Sequence, residues 1–461
     1  MAVSDAWRRR IDWGFQRNLA DWPLVRRELA ALLPVLSAEE ALCLRAVYAG
    51  LGPQDLASIP AGQHLKDVRT ALLARRELVR QVGKDLFFLY VLPARVNNEF
   101  PDGARPWLYE QLRDRVKGLG LAETALEVNY WCYAHATYAP ADDRTMGPRG
   151  VCSRARGRCG EESTLLTAAL RAVGVPARQV YAPRWAHCDD NHAWVEFWDG
   201  TGWRYMGACE PEEAPDRGWF TSAASRAMLV RALEPDLENG GCRVVNVTAR
   251  YARTVRLAVR AERGGLPVPG VSVRFQLVND SQLWTIFQGE TDGAGETSME
   301  TGLGCLVVSA WFGGRLTEKL VDLREERTVT LAWEAGFDPL ETEREGLWEL
   351  TPPAGIVPPQ LPTPAGPTWS VSANVRRSAG PARIPLSKKA PGLSSVREGT
   401  GGRSRNFWLC PTMTGRTRRP CWGACGTRIL PTSPARPWRI FCWRPCPGRR
   451  NTSHGSGAGR F

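Results

Sequence analysis

The stretch that most constrains this chain runs from Gly157 to Pro211 and opens Gly157-Arg-Cys-Gly-Glu-Glu-Ser163. Leu165, Leu166, Ala169, Leu170 and Val173 recur at spacings of three and four, so a helix is expected to start at Cys159; Gly174 and Pro176 stop it. A helix start carries unpaired N–H groups and partial positive charge. A cysteine placed there is biased toward thiolate, below its usual ~8.5. Two apolar runs follow. The first is Arg178 to Trp185. The second, His192-Ala-Trp-Val-Glu-Phe-Trp198, turns at Asp199-Gly200 into Trp203 to Cys209, and Asp-Gly between such runs signals a hairpin. The order is therefore helix, strand, strand, strand, with a cysteine opening the helix and a histidine entering a strand.

These residues in this order resemble the transglutaminase-like superfamily over roughly residues 120–235, and Gly157-Arg-Cys-Gly-Glu161 with the later Cys209-Glu210 is similar to its peptide:N-glycanase branch. The resemblance implies a papain-like core in which Cys159 is the nucleophile and His192 the base. It also implies an oxyanion donor from an upstream tryptophan, for which Trp131 is the candidate; a plain core aromatic is the alternative. The family's orienting aspartate falls four residues after the tryptophan that starts the last strand. Counted from Trp203, that position is Gly207. With a two-residue loop His192 faces Gly207 and with a four-residue loop it faces Cys209, so Glu210 has the wrong parity unless the strand ends or bulges first. The acid is missing, displaced to Glu210, or replaced by Asp189 or Asp190.

The rest of the chain arranges itself around this segment as an α+β protein. Residues 1–115 are expected to be helical. Ser37-x-x-Glu40 is a capping box, and a long helix is expected from about Leu65 to Leu92. Asn97, Asn98 and Glu99 either line the cleft or simply end that helical region. The core takes residues 116–238, with a helix over 120–135 and a polar loop from Asp142 to Arg156 that shapes the substrate entrance. Residues 241–336 change to β-branched, alternating runs with turns at Asp292-Gly293 and Gly295. They are read as an all-β sandwich resembling carboxypeptidase regulatory-like and prealbumin-like modules. Residues 337–461 are a Pro-rich linker and a basic tail expected to stay disordered.

Charge excludes less than it first suggests. Residues 366–461 hold eighteen Lys and Arg against one acid, Glu398, so of the +12 net charge the first 365 residues carry −5. Nucleic-acid binding would rest on the tail alone and is not expected of the folded part. Five of the nineteen Trp and five of the thirteen Cys lie in that tail without any period, a vocabulary best read as out-of-frame translation, with natural basic disorder as the alternative. Scattered cysteines, no apolar leader and no apolar run long enough for a membrane predict a cytoplasmic protein. His187, Cys188, His192 and Cys209 match no common zinc spacing, so no metal and no cofactor are expected. The function expected is thiol-dependent acyl transfer or amide hydrolysis on a protein or peptide substrate, glycosylated or not. The rival is a catalytically weak scaffold that binds peptide or glycan through the same cleft.

Overall fold

The computed structural model describes residues 3–79, 82–140, 142, 144–338, 347–355 and 438–441. The chain opens with six helices: α1 Asp5–Asn18, α2 Pro23–Leu32, α3 Ala38–Ala49, α4 Pro53–Ser58, α5 Ala61–Glu77 and α6 Lys84–Tyr90. The Ser37 hydroxyl accepts the Glu40 N–H at 3.3 Å and the Glu40 carboxylate accepts the Ser37 N–H at 3.0 Å, closing the box that starts α3. The single long helix expected from Leu65 to Leu92 is divided. α5 ends at Glu77, and α6 restarts behind Gly83, whose extended backbone (ψ 157°) is an N-cap conformation rather than a helical one. Arg75 of α5 then stacks on the Phe87 ring of α6 at 4.9 Å. Ile11, Leu44, Val68, Phe87 and Phe88 meet in one buried cluster beneath these helices.

The second unit contains α7 Ala104–Val116, α8 Leu121–His135, β1 Thr137–Tyr138, α9 Pro148–Arg154, β2 Arg156–Gly157, α10 Cys159–Ala172, β3 Ala177–Ala182, β4 His192–Trp198, β5 Trp203–Met206, α11 Thr221–Ala224, β6 Arg231–Pro235 and β7 Cys242–Asn246. Five strands form one antiparallel sheet in the order β5-β4-β3-β6-β7. α10 lies between α7 and α8 on one side and the sheet on the other, so its periodic Leu165, Leu166, Ala169 and Leu170 are fully buried. The helix stops where Gly174 takes φ 87°, a left-handed value that costs glycine nothing. Beneath the sheet, Arg178 pairs with Glu196 at 2.8 Å and Glu234 at 2.9 Å. All three are buried, so each charge is compensated without water.

The third unit is a sandwich of two sheets: β8 Thr254–Arg263, β9 Leu266–Pro267, β10 Ser272–Asn279, β11 Gln282–Glu290, β12 Glu296–Gly302, β13 Cys305–Phe312, β14 Arg315–Asp322 and β15 Thr328–Ala332. One sheet runs β11-β10-β13-β14 and the other β12-β8-β15, with β9 on β8. Alternate residues Leu257, Val259, Ala261, Val273 and Phe275 point into the shared core, as period-two patterning requires. Of the linker and tail over 337–461, the described residues are 337–338, 347–355 and 438–441, and Trp438–Phe441 pairs antiparallel with Leu347–Leu350. The rest of that expectation lies outside the described residues.

Candidate active site

The helix expected to open at Cys159 begins there. Cys159 is the first residue of α10 behind Arg158, whose N–H donates to the Glu161 carboxylate at 3.0 Å. The other oxygen of that carboxylate accepts the Met146 N–H at 3.1 Å, tying the entrance loop to the helix start. A second set of polar side chains holds the first turn from the sheet side. Gln179 of β3 donates to the Gly160 carbonyl at 2.9 Å and to the Ser163 hydroxyl at 2.7 Å, and its own oxygen accepts from Asn97 at 2.6 Å. Asn98 accepts from Thr145 at 2.6 Å, and the buried Glu99 carboxylate accepts the N–H groups of Val96 and Asn97, both at 2.7 Å. The Asn97–Glu99 turn thus braces the helix start. Beside it a cavity of about 460 Å³ opens, lined by Asp142, Arg144, Thr145, Met146, Arg154 and Glu161.

His192 is the first residue of β4 and is paired across the sheet with Ala182. The backbone N–H of the next residue, Ala193, approaches the Cys159 sulfur closely enough to favour its thiolate form, so the strand start lies by the helix start. The hairpin loop has four residues, since Trp198 pairs with Trp203 and Val195 with Met206, the register that would set His192 opposite Cys209. β5 ends at Met206, however. Asn129 of α8 takes over, donating to the Gly207 carbonyl at 2.8 Å and accepting the Cys209 N–H at 2.9 Å. Cys209 then adopts φ 58°, so strand parity no longer governs Glu210.

Glu210 folds back over Gly207. A Cβ added at Gly207 would lie 2.8 Å from a Glu210 carboxylate oxygen. The carboxylate therefore sits beside the position counted for the family's aspartate, but its hydrogen bond goes elsewhere: it accepts from the Trp219 indole at 2.8 Å. Trp219 in turn lies 4.7 Å from the His192 ring, centroid to centroid, with Phe220 at 4.9 Å and Trp194 at 5.8 Å. His192 is thus 7% exposed inside an aromatic cage, and its Nε2 is buried without a hydrogen-bond partner among the described residues. Asp189 and Asp190 sit in the loop before β4. Asp189 accepts the Asp280 N–H at 2.8 Å and Asp190 the N–H of Asn191 at 2.7 Å, so neither is bonded to the ring.

Burial dominates the electrostatics. It pushes the Cys159 thiol up; Asp190 and Glu162 push the same way, and the Ala193 N–H and Arg158 oppose them. Burial alone lowers His192 to about 3. The thiolate bias expected from the helix start is thus outweighed, and at neutral pH the resting pair is thiol and imidazole. Glu162, 3% exposed, is raised to about 8, first by burial and then by the nearby carboxylates of Glu210 and Glu161. Burial also raises Glu210, so both acids are held above the usual carboxylate range.

Residues 110–208 match the transglutaminase-like superfamily. The matched segment carries Cys159, His192 and Gly207 and stops short of Glu210 and Trp219. No curated protein matches the chain. Among solved structures, a candidate cysteine protease from Cytophaga hutchinsonii aligns at 14% identity and TM-score 0.22, over 55% of this chain and 62% of that one. Red sea bream transglutaminase aligns at 10% identity and TM-score 0.23, over 54% of this chain and 57% of its own. The chain thus covers less than two thirds of either.

Within the transglutaminase-like segment Trp131 is 4% exposed, stacked on His135 at 4.0 Å and edge-on to Trp107 at 6.0 Å. These contacts are those of a core aromatic. Tyr138, by contrast, is close enough to Cys159 for the two to interact electrostatically, because β1 pairs in parallel with β2 just ahead of the nucleophile. Sequence reading missed Tyr138, Gln179, Glu162 and Trp219. Glu162 left one signal, a second acid directly after the capping glutamate on a helix face that is otherwise apolar. Trp219 left none, since the loop from Pro211 to Phe220 has no period. Among the described residues no group of three or more His, Cys, Asp or Glu is placed to hold a metal. Cys209, one of the four soft ligands in the metal reading, lies instead against Cys132, which with burial pushes its thiol up. No helix is long and apolar enough to cross a membrane among the described residues.

Proposed function

We propose that this protein catalyses thiol-dependent acyl transfer or amide hydrolysis on a protein or peptide substrate, with Cys159 as nucleophile and His192 as base. The observation that carries the reading is that Cys159 opens α10 and His192 opens β4, with the N–H of the residue after His192 near enough to the Cys159 sulfur to favour its thiolate. In the reaction, the thiol proton passes to the imidazole as sulfur attacks the amide carbon. The C–N bond then breaks, and the departing amine takes the proton back from the imidazolium. Water, or a second amine, cleaves the thioester and regenerates the thiol. Developing negative charge on oxygen is met by N–H groups at the start of α10. Glu210, held one indole away from the ring, is the candidate orienting acid.

The Gly157-Arg-Cys-Gly-Glu161 phrase favours amides of glycosylated asparagine among the possible substrates. A helical region over 1–115, the core over 116–238, a regulatory-like sandwich over 241–336 and a tail over 337–461 remain the division we propose. The cytoplasm is the proposed location, and the eight described cysteines are free thiols. A second reading, a binding scaffold, is favoured by one observation: the buried His192 Nε2 has no partner among the described residues. One experiment separates them. Under limiting iodoacetamide at pH 7.5, Cys159 should be alkylated faster than Cys132, Cys152, Cys188 or Cys209, as mapped by peptide mass spectrometry. Equal labelling of all five refutes the enzyme reading.

A further inference from the structure

The loop from Pro183 to Asn191 delivers His192 to the site, and most of what fixes it comes from another unit of the fold. At the tip of the β10–β11 hairpin, Asn279 is fully buried. Its side-chain amide donates to the carbonyls of Trp185 at 3.0 Å, Cys188 at 2.9 Å and Asp190 at 3.4 Å. The next residue, Asp280, donates its N–H to the exposed Asp189 carboxylate at 2.8 Å. On the flank, the Arg184 guanidinium lies 3.8 Å from the centre of the Trp284 ring.

This contact is costly to keep. The Asn279 side-chain oxygen is buried without a partner among the described residues, and such a group forfeits its solvation without a hydrogen bond in return. Three carbonyls facing the amide forbid the flipped orientation, because oxygen would then face oxygen. The turn beyond it, Asp280-Ser281, has φ 51° and 59°, values for which glycine or asparagine is preferred. An apolar residue in a relaxed turn would pack the two units together with less strain. What Asn279 adds is a fixed position for three consecutive-loop carbonyls, the last of them two residues before His192.

We infer that Asn279, on the sandwich, is a positioning residue for the site: it holds the loop that sets His192 and the Ala193 N–H against Cys159. This rests on the functional reading above, but its test does not. Every thiol alkylates at high enough pH, so the pH midpoint of Cys159 alkylation can be measured whether or not Cys159 is the fastest thiol. Asn279→Asp keeps the shape and turns an oxygen toward the carbonyls. The midpoint should rise by roughly one pH unit, with alkylation at pH 7 about tenfold slower, because the Ala193 N–H no longer stabilises the thiolate. Asp189→Ala, a surface change that cuts only the outer bond, should move the midpoint the same way by less, about twofold in rate. A contact that merely glued two units together would lower the melting temperature and leave the midpoint in place. An unshifted midpoint in the folded variants overturns the inference; should Asn279→Asp not fold, Asp189→Ala decides alone. Loss of Cys159 selectivity in the wild type would instead sink the functional reading.

Discussion

Replacing His192 with phenylalanine should make the protein more stable in mild acid while abolishing its chemistry. Folded His192 takes up its proton near pH 3, against an ordinary value of 6.5. Between those values the unfolded chain binds a proton that the folded one refuses. Stability therefore falls as pH drops below 6.5 and keeps falling toward 3. At pH 5 the gap is about 1.5 units at 1.36 kcal/mol each, or about 2 kcal/mol. Phenylalanine abolishes this cost and suits a cage built from Trp194, Trp219 and Phe220. It also removes the buried Nε2, a saving of about 1–3 kcal/mol at any pH, partly offset by the larger ring. Urea unfolding followed by circular dichroism at pH 7.5 and 5.0 gives both numbers. The variant should be level with the wild type or about 1 kcal/mol above it at pH 7.5, and roughly 2 kcal/mol further ahead at pH 5.0. An advantage that does not grow on acidification would refute the claim that His192 is buried neutral.

Two further outcomes follow from the acids behind the nucleophile. Glu162→Gln should stabilise the protein more at pH 7.5 than at pH 5.0 in the same assay. The folded value near 8 exceeds the ordinary 4.5, so the wild-type contribution is intact below 4.5 and is lost as pH rises toward 8, about 4 kcal/mol by pH 7.5. Gly207→Asp on its own should slow Cys159 alkylation, because its Cβ meets the Glu210 carboxylate at 2.8 Å; combined with Glu210→Ala it should raise the rate about tenfold over Glu210→Ala alone.

The sequence made the skeleton of the site legible because local rules decide it. A periodic apolar face and a glycine stop define α10, and strict alternation with an Asp-Gly turn defines the β4–β5 hairpin. Both survive in the fold with Cys159 and His192 at their starts. The capping box at Ser37 was equally local. What sequence reading lost depends on tertiary contact. Gly83 divides the helix expected to reach Leu92, and α6 then folds back onto α5 through Arg75 and Phe87. The thiol's upward shift depends on how deeply α10 is covered, which no helix-start rule contains. Glu210 was found as a possible acid, yet its partner Trp219 comes from a loop without pattern.

The acid problem becomes clearer once Trp219 is included. In a three-member site, the carboxylate holds the imidazole directly and stabilises the charge it gains during attack. Here an indole stands between them. Its N–H satisfies Glu210, and its ring walls in His192. The imidazole is thereby kept neutral and oriented by packing rather than by charge. Such a ring is a competent proton acceptor only if attack supplies compensation when the imidazolium forms. A carboxylate able to provide it stands one indole away in Glu210, which also helps to raise Glu162 to about 8. Trp219 is half-exposed, and its ring lies against His192. A substrate that turned the indole away would free the Glu210 carboxylate at the moment the His192 ring needs a partner. On this geometry, the displaced acid and the aromatic cage are two aspects of the same arrangement, joined through Trp219.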